Sequence, residues 1–176
     1  IDPYTISMND NYYLLKKEAY QEVIKVSDKG LKIHNGANRY SFLLNKGVAF
    51  LRSERYQEAL RVCNEAMLEY PKNYVLFYNR GIIHEKLDMF DKAIKDYIQA
   101  IELNPFYANA HLQLGKICLK EGRTSQAMMA VNMCLILNPD GSDAFSILNS
   151  MNTSVSKNSE VKPKGISISK DDDAFE

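Results

Sequence analysis

The stretch Tyr74–Pro105, YVLFYNRGIIHEKLDMFDKAIKDYIQAIELNP, decides the fold because its small residues and its proline recur at one fixed interval. The recurring residues are the glycines Gly47, Gly81 and Gly115, the alanines Ala59, Ala93 and Ala127, and the prolines Pro71, Pro105 and Pro139, and each step is 34 residues. Three residue types that keep one period indicate stacked copies of a structural unit rather than one closed core.

The period and these small, aromatic and proline positions resemble the tetratricopeptide repeat (TPR) family, with Leu43, Phe77 and His111 in place of its usual tryptophan. The resemblance covers roughly residues 4–141. It implies an all-α solenoid, a right-handed superhelix of antiparallel helix pairs with about four repeats and a C-terminal capping helix. We expect these parts: 4–39, a degenerate repeat; 40–73, 74–107 and 108–141, repeats; 142–151, the capping helix; 152–176, a polar tail. Alternatively, residues 1–5 are the last turn of an upstream repeat.

Each recurring position has a local physical reason. We expect each glycine to face the second helix of its own repeat so closely that a side chain would push the helices apart, with the recurring alanine as its counterpart. Each proline ends a helix, because it lacks an N–H and forces the preceding residue into an extended conformation. The glycine at position 122 indicates a turn.

Composition excludes several functional classes. The chain has 176 residues, 45% of them hydrophobic, and equal numbers of basic and acidic residues, 22 each. Zero net charge disfavours a dedicated nucleic-acid binder and an anionic membrane surface as partner. The chain has no apolar run of membrane-spanning length, so we predict no membrane insertion.

The three cysteines favour neither a disulfide framework nor a zinc site, and we expect Cys63, Cys118 and Cys134 to be buried. Free thiols favour the cytoplasm. Because the chain starts with Ile1, an upstream segment has been removed or left out, and a bacterial envelope location stays open.

The sequence offers no arrangement of side chains typical of a catalytic or metal-binding site. His34, His84 and His111 have no metal ligand or catalytic partner at a suitable spacing, and we read them as core or surface side chains. The carboxylates fall on faces predicted to be exposed, where they are expected to be solvated. We therefore predict no catalytic residue, metal or cofactor, and no enzyme.

The resemblance implies that the first helix of each repeat lines a concave binding surface. Its groove positions carry apolar, tyrosine and amide side chains, which predict a site for an apolar or amphipathic peptide whose backbone the amides hold. Some of these side chains could instead only pack between repeats. The predicted groove residues are Leu44, Asn45, Val48, Tyr78, Asn79, Ile82, Leu112, Gln113 and Lys116.

One TPR subfamily binds the acidic C-terminal tails of heat-shock chaperones through a set of lysine, asparagine and arginine side chains. Asn79 matches the middle of that set, but its partner positions hold Leu44, Val48, Asn109 and Gln113. We therefore expect no such tail clamp.

The helix predicted for residues 124–137 is apolar nearly all round. Three positions predicted to face outward hold Met129, Ala130 and Met133, where the preceding repeat has Lys95, Asp96 and Gln99. A helix that is apolar on all sides is normally covered. We hypothesise that the C-terminal helix and tail cover this face, or that the chain self-associates through it.

These observations favour a non-catalytic protein–protein interaction module with a protein or peptide partner. One alternative is a regulatory or accessory domain of a larger enzyme or of a secretion or assembly complex. A less favoured alternative is an RNA-binding helical repeat, whose 35-residue type lacks the regular glycine.

Overall fold

A computed structural model describes residues 13–33, 37–141, 143, 145–149 and 152, and within these ranges all regular structure is helical. Short helical stretches also occur at residues 13–16 and 145–149. The seven longer helices are α1 (Tyr20–Ile33), α2 (Ala37–Arg52), α3 (Tyr56–Glu69), α4 (Tyr74–Lys86), α5 (Phe90–Leu103), α6 (Ala108–Lys120) and α7 (Thr124–Leu137).

The prolines end helices as predicted. Helices α3, α5 and α7 each end two residues before a proline, at Glu69, Leu103 and Leu137. The intervening residues Tyr70, Asn104 and Asn138 leave the helical conformation, as steric conflict with a following proline requires. The three helices begin and end 34 residues apart, so the sequence period is also the period of the structure.

A left-handed residue recurs in the turn between the two helices of each pair. Glu54, Asp88 and Gly122 have φ of 61°, 56° and 72°, and Glu18 in the N-terminal part of the chain has 57°. The turn predicted at Gly122 is confirmed, whereas the three acidic residues gave no such indication because non-glycine residues disfavour this conformation. The same tight turn thus joins the helices throughout, including the less regular N-terminal unit.

The hydrophobic core follows the chain instead of closing around one centre. Each helix packs mainly against its neighbours in sequence. One cluster of buried side chains joins α1 to α4 and includes Val23, Leu43 and Leu76, and a second joins α4 to α7 around Tyr97 and Ile117. This arrangement is an all-α solenoid, as predicted; its division into repeats at the residues given above remains our proposal.

Two of the three recurring glycines stand where a side chain would collide with the neighbouring helix. A Cβ atom at Gly81 would lie 2.6 Å from Cε1 of Tyr97, and one at Gly115 would lie 2.6 Å from Cγ2 of Val131. At Gly47 the nearest such atom is Cγ1 of Val62 at 3.8 Å, an ordinary contact. The predicted close approach is therefore wrong for Gly47, and the facing residue lies one turn beyond the recurring alanine.

The expectation that all carboxylates are solvated is wrong for Asp96, which is only 4% exposed. Its carboxylate accepts hydrogen bonds from Arg80 Nη2 at 2.6 Å and Nε at 3.0 Å, and lies 2.7 Å from His84 Nδ1. Arg80 also donates to Asn64 Oδ1 at 3.2 Å. Burial of Asp96 is tolerated because these partners satisfy it. Ala130, at the equivalent position of the last pair, is also buried and does not face outward.

The remaining candidates for chemistry are core residues. His84 and His111 are buried, the latter within hydrogen-bond distance of the Pro105 carbonyl, and His34 lies outside the described residues. Cys63, Cys118 and Cys134 are free and buried, as predicted. Burial raises the pKa of the Cys63 thiol to about 12. Among the described residues, none of the helices is long and apolar enough to cross a membrane.

Candidate functional site

The first helices of three consecutive pairs, α2, α4 and α6, share a surface that contains a cavity of about 440 Å³, which we call the groove pocket. Five of the nine predicted groove residues lie in its wall. The lining residues are Val48, Leu51, Arg52, Glu54, Tyr56, Tyr78, Asn79, Ile82, Lys86 and Gln113. The fold therefore brings together side chains from helices more than 60 residues apart in sequence.

Tyr78 is the most firmly positioned side chain of the groove pocket. Its ring centroid lies 5.1 Å from that of Tyr107, edge to face, and 6.1 Å from that of Tyr97. Tyr97 is in turn fixed by donating its hydroxyl to Glu85 Oε2 at 2.9 Å. Burial raises the pKa of the Tyr78 phenol, while a hydrogen bond with Gln113 acts in the opposite direction. The groove pocket thus presents a neutral aromatic side chain held on two sides.

Charged side chains at the exposed rim of the groove pocket were not among the predicted residues. Arg52 and Lys86 stand 34 residues apart, at the last positions of α2 and α4, and Glu54 follows in the turn. All three are exposed, and none forms an ion pair within the part of the chain that the structure describes. Arg52 and Lys86 occupy the same position of successive repeats, and this spacing could have identified them from the sequence.

Leu44 and Asn45 lie away from the groove pocket. Leu44 is half-buried and packs against the first core cluster, where it lines a void of about 10 Å³ together with Cys63 and Leu76. Asn45 is also half-buried and lies outside the walls of both cavities. Neither residue lines the groove pocket.

Leu112 and Lys116 face the C-terminal segment of the chain itself. Leu112 belongs to the same cluster as Ile147 and Leu148, around the buried Val131 and Cys134, and Lys116 Nζ lies 3.3 Å from Asp143 Oδ2. In the described part of this segment, Phe145 is 59% exposed. Ile147 and Leu148, two and three residues further on, pack against the buried Val131 and Cys134.

A second cavity of about 510 Å³, which we call the back pocket, lies between α5 and α7 with α6 behind it. Met129, Ile98 and Met133 are among its lining residues and are 75%, 42% and 36% exposed. In the described part of the C-terminal segment, Ile147 and Leu148 pack instead against the buried Val131 and Cys134. The hypothesis that the capping helix covers the two methionines is therefore wrong for its described residues.

The described residues hold no group of three or more His, Cys, Asp or Glu side chains that could share a metal ion. The groove pocket instead combines an apolar wall, two amides and exposed charges of both signs. Such a lining suits a bound polypeptide segment, which presents apolar side chains and backbone amides together.

Comparison with known proteins places these features in a family. A tetratricopeptide repeat profile matches residues 74–107, and another matches residues 17–74. The small glutamine-rich tetratricopeptide repeat-containing protein of Dictyostelium discoideum is 33% identical over 98 residues, which are 56% of this chain and 29% of that protein. The UDP-N-acetylglucosamine–peptide N-acetylglucosaminyltransferase of Giardia intestinalis is 34% identical over 76 residues, which are 43% of this chain and 5% of that protein. The chain thus spans less than a third of either relative.

Solved structures share the architecture. The crystal structure of MamA superposes with a TM-score of 0.72 at 20% identity, covering 83% of this chain and 84% of that one. The first TPR domain of Spaghetti (RPAP3), bound to an HSP90 peptide, gives 0.65 at 25% identity over 70% of this chain and 98% of that one. With the 34-residue structural period and two matching profiles over residues 17–107, the chain belongs to the tetratricopeptide repeat family.

Proposed function

We propose that the chain is a non-catalytic protein–protein interaction module that binds a peptide segment of its partner in the groove pocket. The observation that carries the proposal is a cavity of about 440 Å³ formed by three successive first helices. A preformed cavity lowers the cost of ordering on binding. The TPR domain of Spaghetti (RPAP3), solved with a bound peptide, supports the same role by analogy of fold.

The lining defines the chemistry of the ligand. An apolar side chain would contact Tyr78 and Ile82, and the amides of Asn79 and Gln113 would bond the peptide backbone. An acidic side chain would be attracted to Arg52 and Lys86 at the rim. We propose this combination, an apolar residue next to an acidic one, as the preferred sequence character of the partner.

The remaining predicted residues take other roles in this proposal. Leu44 packs in the core beside the groove, Asn45 takes no part in the groove pocket, and Leu112 and Lys116 hold the C-terminal segment against α6. The usable groove therefore runs over α2 and α4 and ends at Gln113 on α6.

A second candidate is the same binding role within a longer protein. The matched relatives extend far beyond the aligned segment, which is 5% of the Giardia transferase. A repeat domain attached to an enzyme would present substrates or partners to it without catalysing the reaction. Both candidates bind a partner in the groove pocket. They differ in whether the bound partner is then presented to an enzyme in the same protein.

A peptide-display selection against the full chain tests the proposal. The tightest selected peptide is synthesised, and its Kd for wild type and for Ile82→Glu is measured by fluorescence anisotropy. The matched control is Ile98→Glu, because Ile98 lies on α5 and lines the back pocket instead of the groove pocket. We expect Ile82→Glu to abolish binding and Ile98→Glu to leave it unchanged. Asn79→Ala, a polar change, should weaken binding by about tenfold, the value of one lost hydrogen bond of about 1.4 kcal/mol. Unchanged binding by both groove variants would overturn the proposal.

A further inference from the structure

One repeat earlier in the chain, the space equivalent to the back pocket is bridged by a cation. There Arg80 reaches from α4 to Asn64 on α3 and to Asp96 on α5, and fills the space between the two second helices. The residues 34 positions later are Leu114, Ile98 and Ala130, all in the wall of the back pocket. Replacement of a long bridging cation and its partners by shorter apolar side chains thus leaves this space open.

The exposed side chains around the back pocket form a narrow apolar stripe. Met129 and Met133 stand one turn apart on α7, and Ile136, 74% exposed, continues the stripe. Ile98 faces them from α5. A stable dimer needs roughly 800 Å² of buried surface per partner, which a few side chains do not supply. A short apolar segment fits the back pocket better than a second folded surface.

The chain contains such a segment. GISISK, residues 165–170, places Ile166 and Ile168 two residues apart, and alternate residues of an extended chain point to the same side. Ser167 and Ser169 would then face solvent. We propose that this segment docks in the back pocket of its own chain, with both isoleucine side chains against the exposed methionines.

Charge complementarity fixes the direction of docking. Lys162 and Lys164 precede the isoleucines, and the acidic run Asp171–Asp173 follows them. Glu102 lines the back pocket at the C-terminal end of α5, and Lys95, outside that lining, lies one helical turn before Ile98 towards the N-terminal end of the same helix. Within the described residues neither has an ion-pair partner. The segment therefore runs antiparallel to α5, with its lysines near Glu102 and its aspartates near Lys95.

The connecting chain is long enough. Residues 153–165 span up to about 40 Å when extended. The segment must pass along α7 to reach the back pocket. This path needs about the length of α7, roughly 20 Å, plus one helix diameter of about 10 Å. Docking within one chain therefore requires no distortion of the solenoid, and it is independent of ligand binding in the groove pocket.

The methyl groups of Met129 and Met133 report on occupancy directly. The full chain is labelled with methyl-¹³C methionine, and spectra are compared for wild type, the pair Ile166→Asp and Ile168→Asp, and the pair Ser167→Asp and Ser169→Asp. The two pairs add the same charge to opposite sides of the segment. We expect the isoleucine pair to shift both methyl signals and the serine pair to leave them at their wild-type positions. Met129→Lys, a change at an exposed position, should move the Met133 signal to its position in the isoleucine pair.

Two results would overturn the inference. Methyl signals that coincide in wild type and the isoleucine pair would show that the segment does not occupy the back pocket. Signals that depend on protein concentration, together with a dimer in analytical ultracentrifugation, would show that a second copy occupies it.

Discussion

The recurring glycines provide a comparison in which one substitution has opposite effects at equivalent positions. Replacing a helical glycine by alanine gains about 1 kcal/mol of stability from backbone entropy when the new methyl group has room. At Gly47 the nearest atom would lie 3.8 Å from the added Cβ, so the gain is retained. We expect Gly47→Ala to stabilise the chain by about 0.5–1 kcal/mol.

At Gly81 the added Cβ would lie 2.6 Å from the Tyr97 ring. That ring is fully buried, and its hydroxyl is held by Glu85, so it has little freedom to move away. Overpacking of this kind costs about 1–3 kcal/mol, which exceeds the entropic gain. After subtraction of the gain of about 1 kcal/mol, we expect Gly81→Ala to destabilise the chain by up to about 2 kcal/mol, which gives a difference of about 2 kcal/mol between the two variants.

Urea denaturation of the full chain, followed by far-UV circular dichroism, measures both variants against wild type. Helical repeat arrays sometimes unfold in parts, so the midpoint is interpreted only where the slope is unchanged. Gly115→Ala serves as a second test, because its Cβ would lie 2.6 Å from Val131 and it should behave like Gly81→Ala. A midpoint for Gly81→Ala equal to or above that of Gly47→Ala would refute the steric reasoning.

Two further predictions concern the buried polar groups. Asp96→Ala leaves Arg80 and His84 without their shared carboxylate and should cost about 3 kcal/mol, at the low end for a buried pair because the Arg80 side chain is 25% exposed. The triple variant Arg80→Leu, His84→Cys and Asp96→Ala copies the residues of the next repeat and should be less damaging than Asp96→Ala alone in urea denaturation; the reverse order would contradict this reading. Burial raises the pKa of Cys63 from 9.0 to about 12 and that of Tyr97 above its ordinary 10.0, so the folded chain keeps these protons after the unfolded chain has lost them. Cys63 should therefore lower the free energy of unfolding by about 1.4 kcal/mol per pH unit above about pH 9, and Tyr97 should do the same above about pH 10, whereas urea midpoints that stay flat from about pH 9 to pH 11 would argue against this.

The periodic features of the fold were predictable because each depends on local chemistry. Proline ends a helix wherever it occurs, and the structure ends α3, α5 and α7 two residues before one. The space available beside each recurring glycine was less predictable, because it depends on the residue that faces the glycine from the second helix of the pair. Gly81 meets the large ring of Tyr97, whereas Gly47 meets only Val62 at ordinary distance.

The buried carboxylate could not be recognised from the helical pattern. Asp96 stands among polar positions of α5, and its partners Arg80 and His84 lie on α4, 16 and 12 residues away. The C-terminal segment shows the same limit on a smaller scale. Ile147 and Leu148 pack against the buried Val131 and Cys134, whereas Phe145 is 59% exposed, and this difference depends on the shape of the surface that the segment meets.

The groove pocket was predictable in outline only. The repeat positions identified Tyr78, Asn79 and Ile82, because the first helices face inward in this family. The loss of Leu112 and Lys116 from the open surface follows from where the C-terminal segment packs.

Chemical-shift mapping of a display-selected peptide on the ¹⁵N-labelled full chain tests peptide binding in the groove pocket most directly. The proposal predicts that the perturbed amides lie on α2 and α4 and near Gln113 on α6, with α5 and α7 unaffected. Perturbations confined to α5 and α7 would show that the partner binds elsewhere and would contradict the proposal.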